Sequence, residues 1–399
     1  MNVKERNPEF KRGRTVVIAD DLSGAAECAA EFAQPGVPIV LRLVQGLRLA
    51  TGDTLVWDLD ARDTAPTLAS NVLESINQSR RTYVKIDSLL RGNWAALVAV
   101  VAQSVARPIV LCSALPRLER GMRDGFVNLP SALVAGQQLA HFSASAIQEL
   151  ALAGVSAGHF RLGKGINDAI RQRLSAALQR DTVTVVDATT DAELDSLALA
   201  LESLPGPYIA IGSAGLASAL ARLLAPLAST CALGQTSSMA ILVGSQTWPA
   251  REQLAELVAE SGETVSIWNA SPGHTAAFPL PSKGRVLHLF STQLDESNTQ
   301  GGRDLTRRFV HDALANLPPV DYFVATGGET ARALCEWMGI TQIDVLGQVE
   351  PGVSLARMST PGGVLHLVLK SGSFGDPGTL VRIARMGGLL PKTYLERRI

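Results

Sequence analysis

The stretch Thr15–Glu27, with the sequence TVVIADDLSGAAE, indicates both the fold class and the place of a site. Its first five residues are rich in β-branched apolar side chains, which is typical of a buried strand, and Ala25–Ala33 favours a helix. The adjacent carboxylates Asp20 and Asp21 fall in the turn between the two. Because ligands of parallel α/β sheets bind beyond the carboxyl ends of the strands, this turn is a natural site.

The aspartate pair admits two interpretations. Adjacent carboxylates are costly to hold at a strand end, so they could accept a substrate proton, bind hydroxyls or hold a metal ion. Alternatively, one of them caps the helix and the other is a solvated acid. The residues of this stretch alone leave both interpretations open.

Length and composition limit the class of protein. A chain of 399 residues exceeds what one domain usually holds, so we expect two domains. Hydrophobic residues make up 46% and charged residues 18%, and the formal net charge of -1 gives no indication of a nucleic-acid or membrane partner. The charged N-terminal segment lacks the apolar core of a signal peptide, and no apolar run reaches transmembrane length, so we predict a cytoplasmic protein.

Cysteine and histidine residues give no metal pattern. The cysteines lie far apart without a CxxC pair, which favours buried free thiols in a reducing compartment over a zinc site: Cys28, Cys112, Cys231 and Cys335. The six histidines are scattered without metal-ligand spacing, and we expect core or surface roles for them.

Strands alternating with helices along the chain predict right-handed crossovers and a mostly parallel sheet flanked by helices. The Pro-, Gly- and Ser-containing segment Leu224–Ser238 is typical of a linker. We therefore predict an α/β protein of two domains, 1–230 and 231–399, each built on such a sheet. The Arg- and Gly-rich segment Ser113–Gln137 shows little periodicity and is interpreted as either a binding loop or a surface segment.

The second predicted domain places three small-residue loops after strands: Gly244–Ser245, Gly327–Thr330 and Lys370–Gly375. Glycines let the backbone approach a phosphate, helix N-termini supply amide donors, and Lys370 could add a charge. Ordinary turn chemistry is the alternative. No GxxxxGK[ST] motif occurs at these loops and no GxGxxG motif opens a Rossmann unit, which argues against a P-loop enzyme and a nicotinamide dehydrogenase.

One turn of the first predicted domain is rich in polar and charged side chains: Lys85, Asp87, Ser88, Arg91 and Asn93. Arg91 can bind a carboxylate through two parallel hydrogen bonds, and Lys85 can add charge. The serine and the asparagine can bind hydroxyls, so the turn and the aspartate pair together would suit a small polyhydroxy acid. The alternative is a structural ion pair between Asp87 and Arg91 at i, i+4.

Several motifs, in this order, resemble those of the four-carbon acid sugar kinase family: IADDLSGAAE, KIDSLLRGN, the turn Gly212–Ala217, VATGGET and VLKSGSFG. The resemblance spans Val16–Gly375, and the first, second and last motifs are specific. It implies a two-domain α/β kinase with an N-terminal acid-sugar domain and a C-terminal nucleotide domain. Members of that family phosphorylate tetronates or 3-oxo-tetronates with ATP.

The resemblance also implies roles for single residues. It marks Asp20 and Asp21 as catalytic, and it marks the polar turn as substrate-binding: Lys85, Asp87, Ser88, Arg91 and Asn93. ATP-binding positions are Ser245, Gly327, Gly328, Glu329, Thr330 and Gly372, to which we add Gly352 and Lys370 from loops of the same domain. We favour Asp21 as the general base, since the first carboxylate past the strand can be held by local backbone amides while the second can face a cleft.

The chain departs from the family pattern mainly on the substrate side. Ser23 and Leu89 stand where the family usually has Thr. The family segment PAFP…GRTT is replaced within Ser113–Met122, where Glu119 stands in place of Gly and both threonines are lost. These departures bear on the choice of substrate more than on the nucleotide loops.

We therefore predict an ATP-dependent kinase, a phosphotransferase with an alcohol acceptor, that acts on a small sugar acid such as a tetronate or 3-oxo-tetronate. Arg91 or Lys85 would hold the carboxylate of the acid, and Mg²⁺, with ligands that the sequence does not identify, would bridge the phosphates. The site is expected in the cleft between the domains, and a homodimer is compatible with the sequence. The alternatives are a non-kinase sugar-acid enzyme, such as an aldolase or isomerase, and an inactive sensor of acid or nucleotide.

Overall fold

The computed structural model describes residues 13–43, 54–129, 144–163, 167–224, 230–261, 265–270, 286–292, 302–315 and 317–390. The chain divides into two compact units. The first unit comprises Met1–Gln34 and Ile39–Ala228, and the second comprises Pro35–Pro38 and Ser229–Ile399. The charged N-terminal segment up to residue 12 and part of the predicted linker lie outside the described residues.

The first unit is built on a parallel sheet. Its strands are β1 (Thr15–Ala19), β2 (Ile39–Arg42), β3 (Thr54–Asp58), β4 (Arg81–Lys85), β5 (Ile109–Cys112), a hairpin of β6 (Gly121–Arg123) and β7 (Phe126–Asn128), then β8 (Ala157–Arg161), β9 (Val183–Asp187) and β10 (Tyr208–Gly212). The sheet order is β2-β3-β1-β4-β10-β5-β9-β8, with parallel neighbours, and the hairpin is separate.

The carboxyl ends of the central strands are in register. Ala19 pairs with Asp58 on one side and with Lys85 on the other, and Gly212 pairs with Lys85 and Cys112. The turns that follow these strands therefore meet at one edge of the sheet. Every residue of β1 is buried, as expected for a strand in a parallel sheet covered on both faces.

The helices of the first unit are α1 (Leu22–Phe32), α2 (Ser70–Asn77), α3 (Trp94–Ser104), α4 (Ala146–Leu152), α5 (Asn167–Ala177), α6 (Asp191–Glu202) and α7 (Ala214–Leu224). Helix α6 begins with a capping box in which Thr190 and Glu193 exchange hydrogen bonds. The predicted polar loop is partly regular, because Leu115 and Arg120 bond to each other's backbone and the β6–β7 hairpin follows.

The second unit combines a parallel and an antiparallel part. Its strands are β11 (Ser238–Val243), β12 (Val265–Ala270), β13 (Val286–Thr292), β14 (Tyr322–Thr326), β15 (Gln342–Glu350), β16 (Val353–Thr360) and β17 (Gly363–Lys370). The helices are α8 (Trp248–Ser261), α9 (Gly302–Ala315), α10 (Gly328–Trp337) and α11 (Thr379–Met386). Strands β12-β13-β11-β14-β17 are parallel, and β17-β16-β15 form an antiparallel meander.

The predicted fold class, an α/β protein with mostly parallel sheets flanked by helices, is confirmed. The meander refines it, since strand β16 was not predicted: the turn Glu350–Val353 reverses the chain without a helix. The core of the second unit is aliphatic and lies between the sheet and its helices; Ile241, Val324 and Leu380 are completely buried in it. Among the described residues, no helix has the length and apolar character needed to cross a membrane.

Candidate functional site

A single guanidinium pairs with both carboxylates that follow β1. Nε and Nη2 of Arg62 donate to Asp20 at 3.0 Å, and Nη1 and Nη2 donate to Asp21 at 3.1 Å. Arg62 is held there by its own backbone, since its amide and that of Ala61 donate to the carbonyl of Asp20. The exposed fractions of Asp20 and Asp21 are only 2% and 8%, so this network is largely withdrawn from water.

The two carboxyl groups have opposite electrostatic environments. Burial raises the pKa of Asp20, and the lowering effect of Arg62 does not cancel it. Burial also acts on Asp21, but Arg62, the ammonium of Lys85 and local hydrogen bonds outweigh it and lower the pKa of Asp21. Asp20 is therefore the stronger base of the pair.

Asp21 is the N-cap of α1. It accepts a hydrogen bond from the backbone amide of Gly24 at 2.9 Å and one from the hydroxyl of Ser23 at 2.7 Å. The sequence-based reason for favouring Asp21 as the base is wrong on this point, because the local amide holds Asp21 and not Asp20. The physical cause is that the last residue before a helix has the extended backbone that a cap requires.

Lys85 lies buried at the end of β4, close to the same carboxylates. A Cβ on Gly24 would lie 2.7 Å from Nζ of Lys85 and 2.7 Å from Oδ1 of Asp21, so the glycine leaves room for the ammonium. Burial opposes the charge of Lys85, but Glu27, Asp20 and Asp21 outweigh it and raise its pKa. The positive charge of Lys85 is thus stabilised by carboxylates of the protein itself.

Asp87 and Arg91 form the i, i+4 ion pair that was the structural alternative for this turn. Nε and Nη2 of Arg91 donate to Asp87 at 2.9 and 2.7 Å, and the amide of Leu89 donates to Asp87 at 3.0 Å. Burial opposes ionisation, but Arg91 and the other nearby cations lower the pKa of Asp87. The guanidinium fork of Arg91, expected to hold the acid's carboxylate, is occupied by a protein carboxylate.

Ser88 and Asn93 complete the polar turn. The hydroxyl of Ser88 accepts a hydrogen bond from Nη1 of Arg120 at 2.6 Å. The side chain of Asn93 donates to the carbonyl of Thr64 at 3.0 Å, and its backbone amide donates to the carbonyl of Arg62 at 2.8 Å. All the residues predicted for the acid site therefore lie in turns at the carboxyl ends of the adjacent strands β1 and β4.

The predicted nucleotide loops of the second unit also converge. Val243 pairs with Thr326, and Thr326 pairs with Lys370, so β11, β14 and β17 end side by side. The amide of Gly327 donates to the carbonyl of Lys370 at 2.7 Å, which joins the second loop to the third. The predicted convergence of the three loops at one sheet edge is present in the structure.

The first and third loops touch through hydroxyl groups. Thr247 donates from Oγ1 to the carbonyl of Gly372 at 2.6 Å and lies 3.1 Å from Oγ of Ser245. A Cβ on Gly372 would collide with Ser245 Oγ, and one on Gly244 would collide with Thr330 Oγ1. These contacts leave no room for a side chain at either glycine.

Helix α10 begins directly at the second loop. Gly327 is its N-cap, with φ of 92°, and makes no side-chain capping bond. The first amides of a helix have no intrahelical partner and favour an anion such as a phosphate. The carboxylate of Glu329, in the first turn, pairs with Arg303 at 3.1 Å.

Lys370 does not act as the free positive charge that its position predicted. Its side chain is completely buried, and Nζ donates to the carbonyls of Ser371 at 2.7 Å and Phe374 at 3.0 Å. Burial lowers the pKa of Lys370 to about 7. Gly352, also predicted at the nucleotide site, lies against the ring of Phe374 at a φ of 78° that suits glycine.

Sequence reasoning did not single out three arginines that shape the first site: Arg62, Arg117 and Arg120. Arg117 pairs with Glu27 and, at 3.4 Å, with Glu31 on α1. No local pattern connects these pairs, which join residues far apart in sequence. For Arg117 and Arg120 the arginine content of the segment Ser113–Gln137 was a signal; Arg62 lies outside that segment.

A second cluster of ionisable groups lies at the β6–β7 turn. His159 Nε2 lies 2.8 Å from Asp187, which accepts the backbone amides of Asp124 at 2.8 Å and Gly125 at 3.0 Å. Arg161 pairs with Asp124. The ligand atoms of Asp124, His159 and Asp187 are close enough for a metal ion, but their mutual bonds mainly fasten the hairpin to the end of β9.

The prediction of thiols is confirmed, because none of the four cysteines forms a disulfide; Cys28, Cys112 and Cys335 are buried and Cys231 is partly exposed. Burial raises the pKa of Cys112 to about 12, which makes it a poor nucleophile. His141 and His274 lie outside the described residues.

The fold and the two groups of turns define a two-unit α/β protein. One unit carries polar and charged turns, and the other carries glycine-rich turns. A family model described as a sugar-binding N-terminal domain matches residues 15–220, and one described as a nucleotide-binding C-terminal domain matches residues 286–380. This chain belongs to the four-carbon acid sugar kinase family, as its motifs predicted.

Named relatives align along most of the chain. A D-threonate kinase of Cupriavidus necator is 32% identical over 402 residues, which cover 92% of this chain and 96% of the relative. A D-threonate kinase of Bordetella bronchiseptica is 27% identical, with 92% and 96% covered. A 3-oxo-tetronate kinase of Pseudomonas fluorescens is 26% identical, with 90% and 93% covered.

Solved structures share the fold at low sequence identity. A candidate tRNA synthase from Salmonella typhimurium LT2 has a TM-score of 0.70 at 20% identity, with 93% of this chain and 99% of that chain covered. A Haemophilus influenzae protein from a domain family of unknown function has a TM-score of 0.64 at 17% identity, with 93% and 100% covered. At such identities the likeness concerns the fold alone.

Proposed function

We propose that this chain is an ATP-dependent kinase that transfers a phosphoryl group to a hydroxyl of a four-carbon sugar acid. The observation that carries the proposal is the split aspartate pair, in which burial raises the pKa of Asp20 while its neighbours lower that of Asp21. Groups whose environments push their pKa values apart are typical of an assigned acid–base function. Family membership and the names of the relatives support a kinase over an aldolase, an isomerase or a sensor.

In this mechanism Asp20 accepts the proton of the attacking hydroxyl. A general base works best when its pKa approaches the working pH, and the raised pKa of Asp20 brings it closer than Asp21. Arg62 orients the base through its paired hydrogen bonds. Asp21 holds Arg62 and caps α1, which makes it a positioning residue in the same network.

The remaining substrate contacts come from the polar turn after β4. Ser88 and Asn93 offer a hydroxyl and an amide for the hydroxyls of the acid. Asp87 and Arg91 form an ion pair with each other, and the charge of Lys85 is favoured by Glu27, Asp20 and Asp21. We propose that these three residues set the charge and shape of the site. Phosphoryl transfer depends mainly on such positioning and on charge neutralisation.

On the second unit, the first amides of α10, Ser245 and the Gly372 turn would hold the phosphates of ATP. We propose that ATP binds together with Mg²⁺, since this ion is usually held by substrate phosphates, water and one or two carboxylates. The residues present fit that demand, because Glu329 in the first turn of α10 offers a carboxylate, which pairs with Arg303 in this structure. The ion supplies neutralisation of phosphate charge when it is bound.

The proposal is tested by coupled measurement of ADP formation with D-threonate, a 3-oxo-tetronate and related four-carbon acids. We expect ADP formation only when an acid and Mg²⁺ are both present. ATP consumption that is independent of every acid would contradict the proposal, and acid or ATP binding without turnover would favour the sensor. The cytoplasmic location, the homodimer and the interdomain cleft stay predictions.

A further inference from the structure

Arg120 is a partly buried cation that has no carboxylate partner among the residues that the structure describes. Its guanidinium donates from Nη1 to the hydroxyl of Ser88 at 2.6 Å. The neighbouring arginines of this edge are paired: Arg62 with Asp20 and Asp21, and Arg91 with Asp87. A buried charge without a partner is costly, so a structure that keeps one usually binds an opposite charge there.

The backbone fixes Arg120 in place before any ligand arrives. Its amide donates to the carbonyl of Leu115 at 3.2 Å, and its carbonyl accepts from the amide of Leu115 at 2.6 Å. Glu119 follows the short 3-10 helix Pro116–Leu118 and precedes Arg120. Its φ of 55° is left-handed and turns the chain back toward Leu115. The guanidinium is therefore presented by a closed loop and not by a free chain segment.

The charged groups around Arg120 favour binding of a negatively charged ligand. Burial lowers the pKa of Arg120, and Arg91 adds to this effect, while Asp87 opposes it. Glu27 also opposes it, but both oxygens of Asp87 already accept from Arg91, and the side chain of Arg120 bonds to the Ser88 hydroxyl and not to a carboxylate. The free edge of a guanidinium binds a carboxylate through two parallel hydrogen bonds, which a hydroxyl cannot match.

We propose that Arg120, next to Ser88, is the anchor for the carboxylate of the acid substrate. This inference rests on the proposed function and replaces Arg91 and Lys85, which the sequence favoured, in that role. The carboxylate would supply the missing partner of Arg120, and the Ser88 hydroxyl would bind beside it. Selectivity for an acid over the corresponding polyol follows directly from this contact.

Calorimetric titration of the full chain with D-threonate and with threitol, which lacks the carboxylate, tests the proposal. We expect Arg120→Gln to weaken D-threonate binding about 10- to 100-fold, as loss of a hydrogen bond to a charged group usually does, and to leave threitol binding unchanged. Arg123→Gln is the matched control, because Arg123 is exposed on the same hairpin and should change neither.

Thermal unfolding without ligand separates this role from a structural one. Removal of an unpaired buried charge should leave the midpoint unchanged or raise it, whereas loss of a structural arginine lowers it.

If Arg120→Gln folds poorly, or if it binds D-threonate as tightly as the unmodified protein, the inference is overturned. Arg120→Lys, which keeps the charge but loses the fork, should bind D-threonate with intermediate affinity; full loss with Lys and none with Gln would also overturn it. Failure of the unmodified protein to bind any four-carbon acid would instead sink the proposed function, and this inference with it.

Discussion

At the scale of single residues, the aspartate pair shows how two identical side chains in sequence acquire different chemistry. Both carboxylates share the guanidinium of Arg62. Only Asp21 also receives the Gly24 amide and the Ser23 hydroxyl, because it occupies the N-cap. At Asp20, burial outweighs Arg62 and the charge of Asp21 raises the pKa further, whereas at Asp21 the combined effect of Arg62, Lys85 and these local donors outweighs burial.

Asparagine substitutions separate the two roles. Asp20→Asn keeps the shape of the site and removes the proposed base, so kcat should fall about 10²–10⁴-fold. Asp21→Asn keeps a good N-cap residue and should lower kcat less, with a lower unfolding midpoint because Arg62 loses one charge partner. The measurement is kcat together with acid affinity for both variants. A normal kcat in Asp20→Asn with a collapsed one in Asp21→Asn would reverse the assignment.

Lys370 predicts a pH dependence of stability. Its pKa is about 7 in the folded protein and 10.5 when the side chain is solvated, so between these values only the unfolded chain binds the proton. The free energy of unfolding should therefore rise with pH in this window, by at most about 1.4 kcal/mol per pH unit from this group. Below pH 7 both states are protonated, and the contribution of Lys370 is at its least favourable.

The control for Lys370 is Lys370→Met, which should lack this rise between pH 7 and pH 10. Denaturant unfolding of both proteins gives the difference, in which the titration of all other groups largely cancels. Parallel profiles would show that Lys370 stays charged in the folded protein. Its neutral amine has two N–H donors, which match the carbonyls of Ser371 and Phe374.

At the scale of elements, the glycine loops of the second unit depend on the absence of side chains. Gly372→Ala would place a methyl group against Ser245 Oγ and separate the first loop from the third. We expect ATP affinity to fall about tenfold or more, since the backbone could no longer approach the phosphates as closely. Calorimetric titration with ATP measures this effect.

Gly362→Ala is the matched control for the loop prediction. It lies in the β16–β17 turn at the other end of β17, and the nearest atom to its Cβ would be Thr360 Oγ1 at 3.8 Å. ATP affinity should be unchanged in this variant. Equal affinities in both variants would remove the Gly372 turn from the phosphate site.

The elements that the sequence predicted well are those with a strong local pattern. The run of β-branched residues in β1 and the small residues after the turn identify a strand and a helix without tertiary information, whereas the N-cap role of Asp21 was only one of two open interpretations. Strand β16 was missed because its pairing is antiparallel and its position depends on a turn, Glu350–Val353, that resembles an ordinary loop. Lys370 is a similar case, because its position after a strand predicted where the residue lies but not that its side chain is buried.

At the scale of the whole molecule, the chain supplies two sheet edges with different chemistry. The first unit gathers charged side chains at the ends of β1 and β4, and the second gathers small residues at the ends of β11, β14 and β17. The motifs predicted which turns belong to which unit. The ion pairs of Arg62 and Arg117 and the Arg120–Ser88 hydrogen bond were not predictable, because they join turns separated by many residues through contacts that no local pattern encodes.

The measurement that tests the central claim most directly is phosphorus NMR of the full chain with ATP, Mg²⁺ and D-threonate. The account predicts a new phosphomonoester signal that grows in step with ADP, and no signal of this kind with Asp20→Asn over the same period. Release of inorganic phosphate alone, or a phosphomonoester formed equally well by Asp20→Asn, would contradict it.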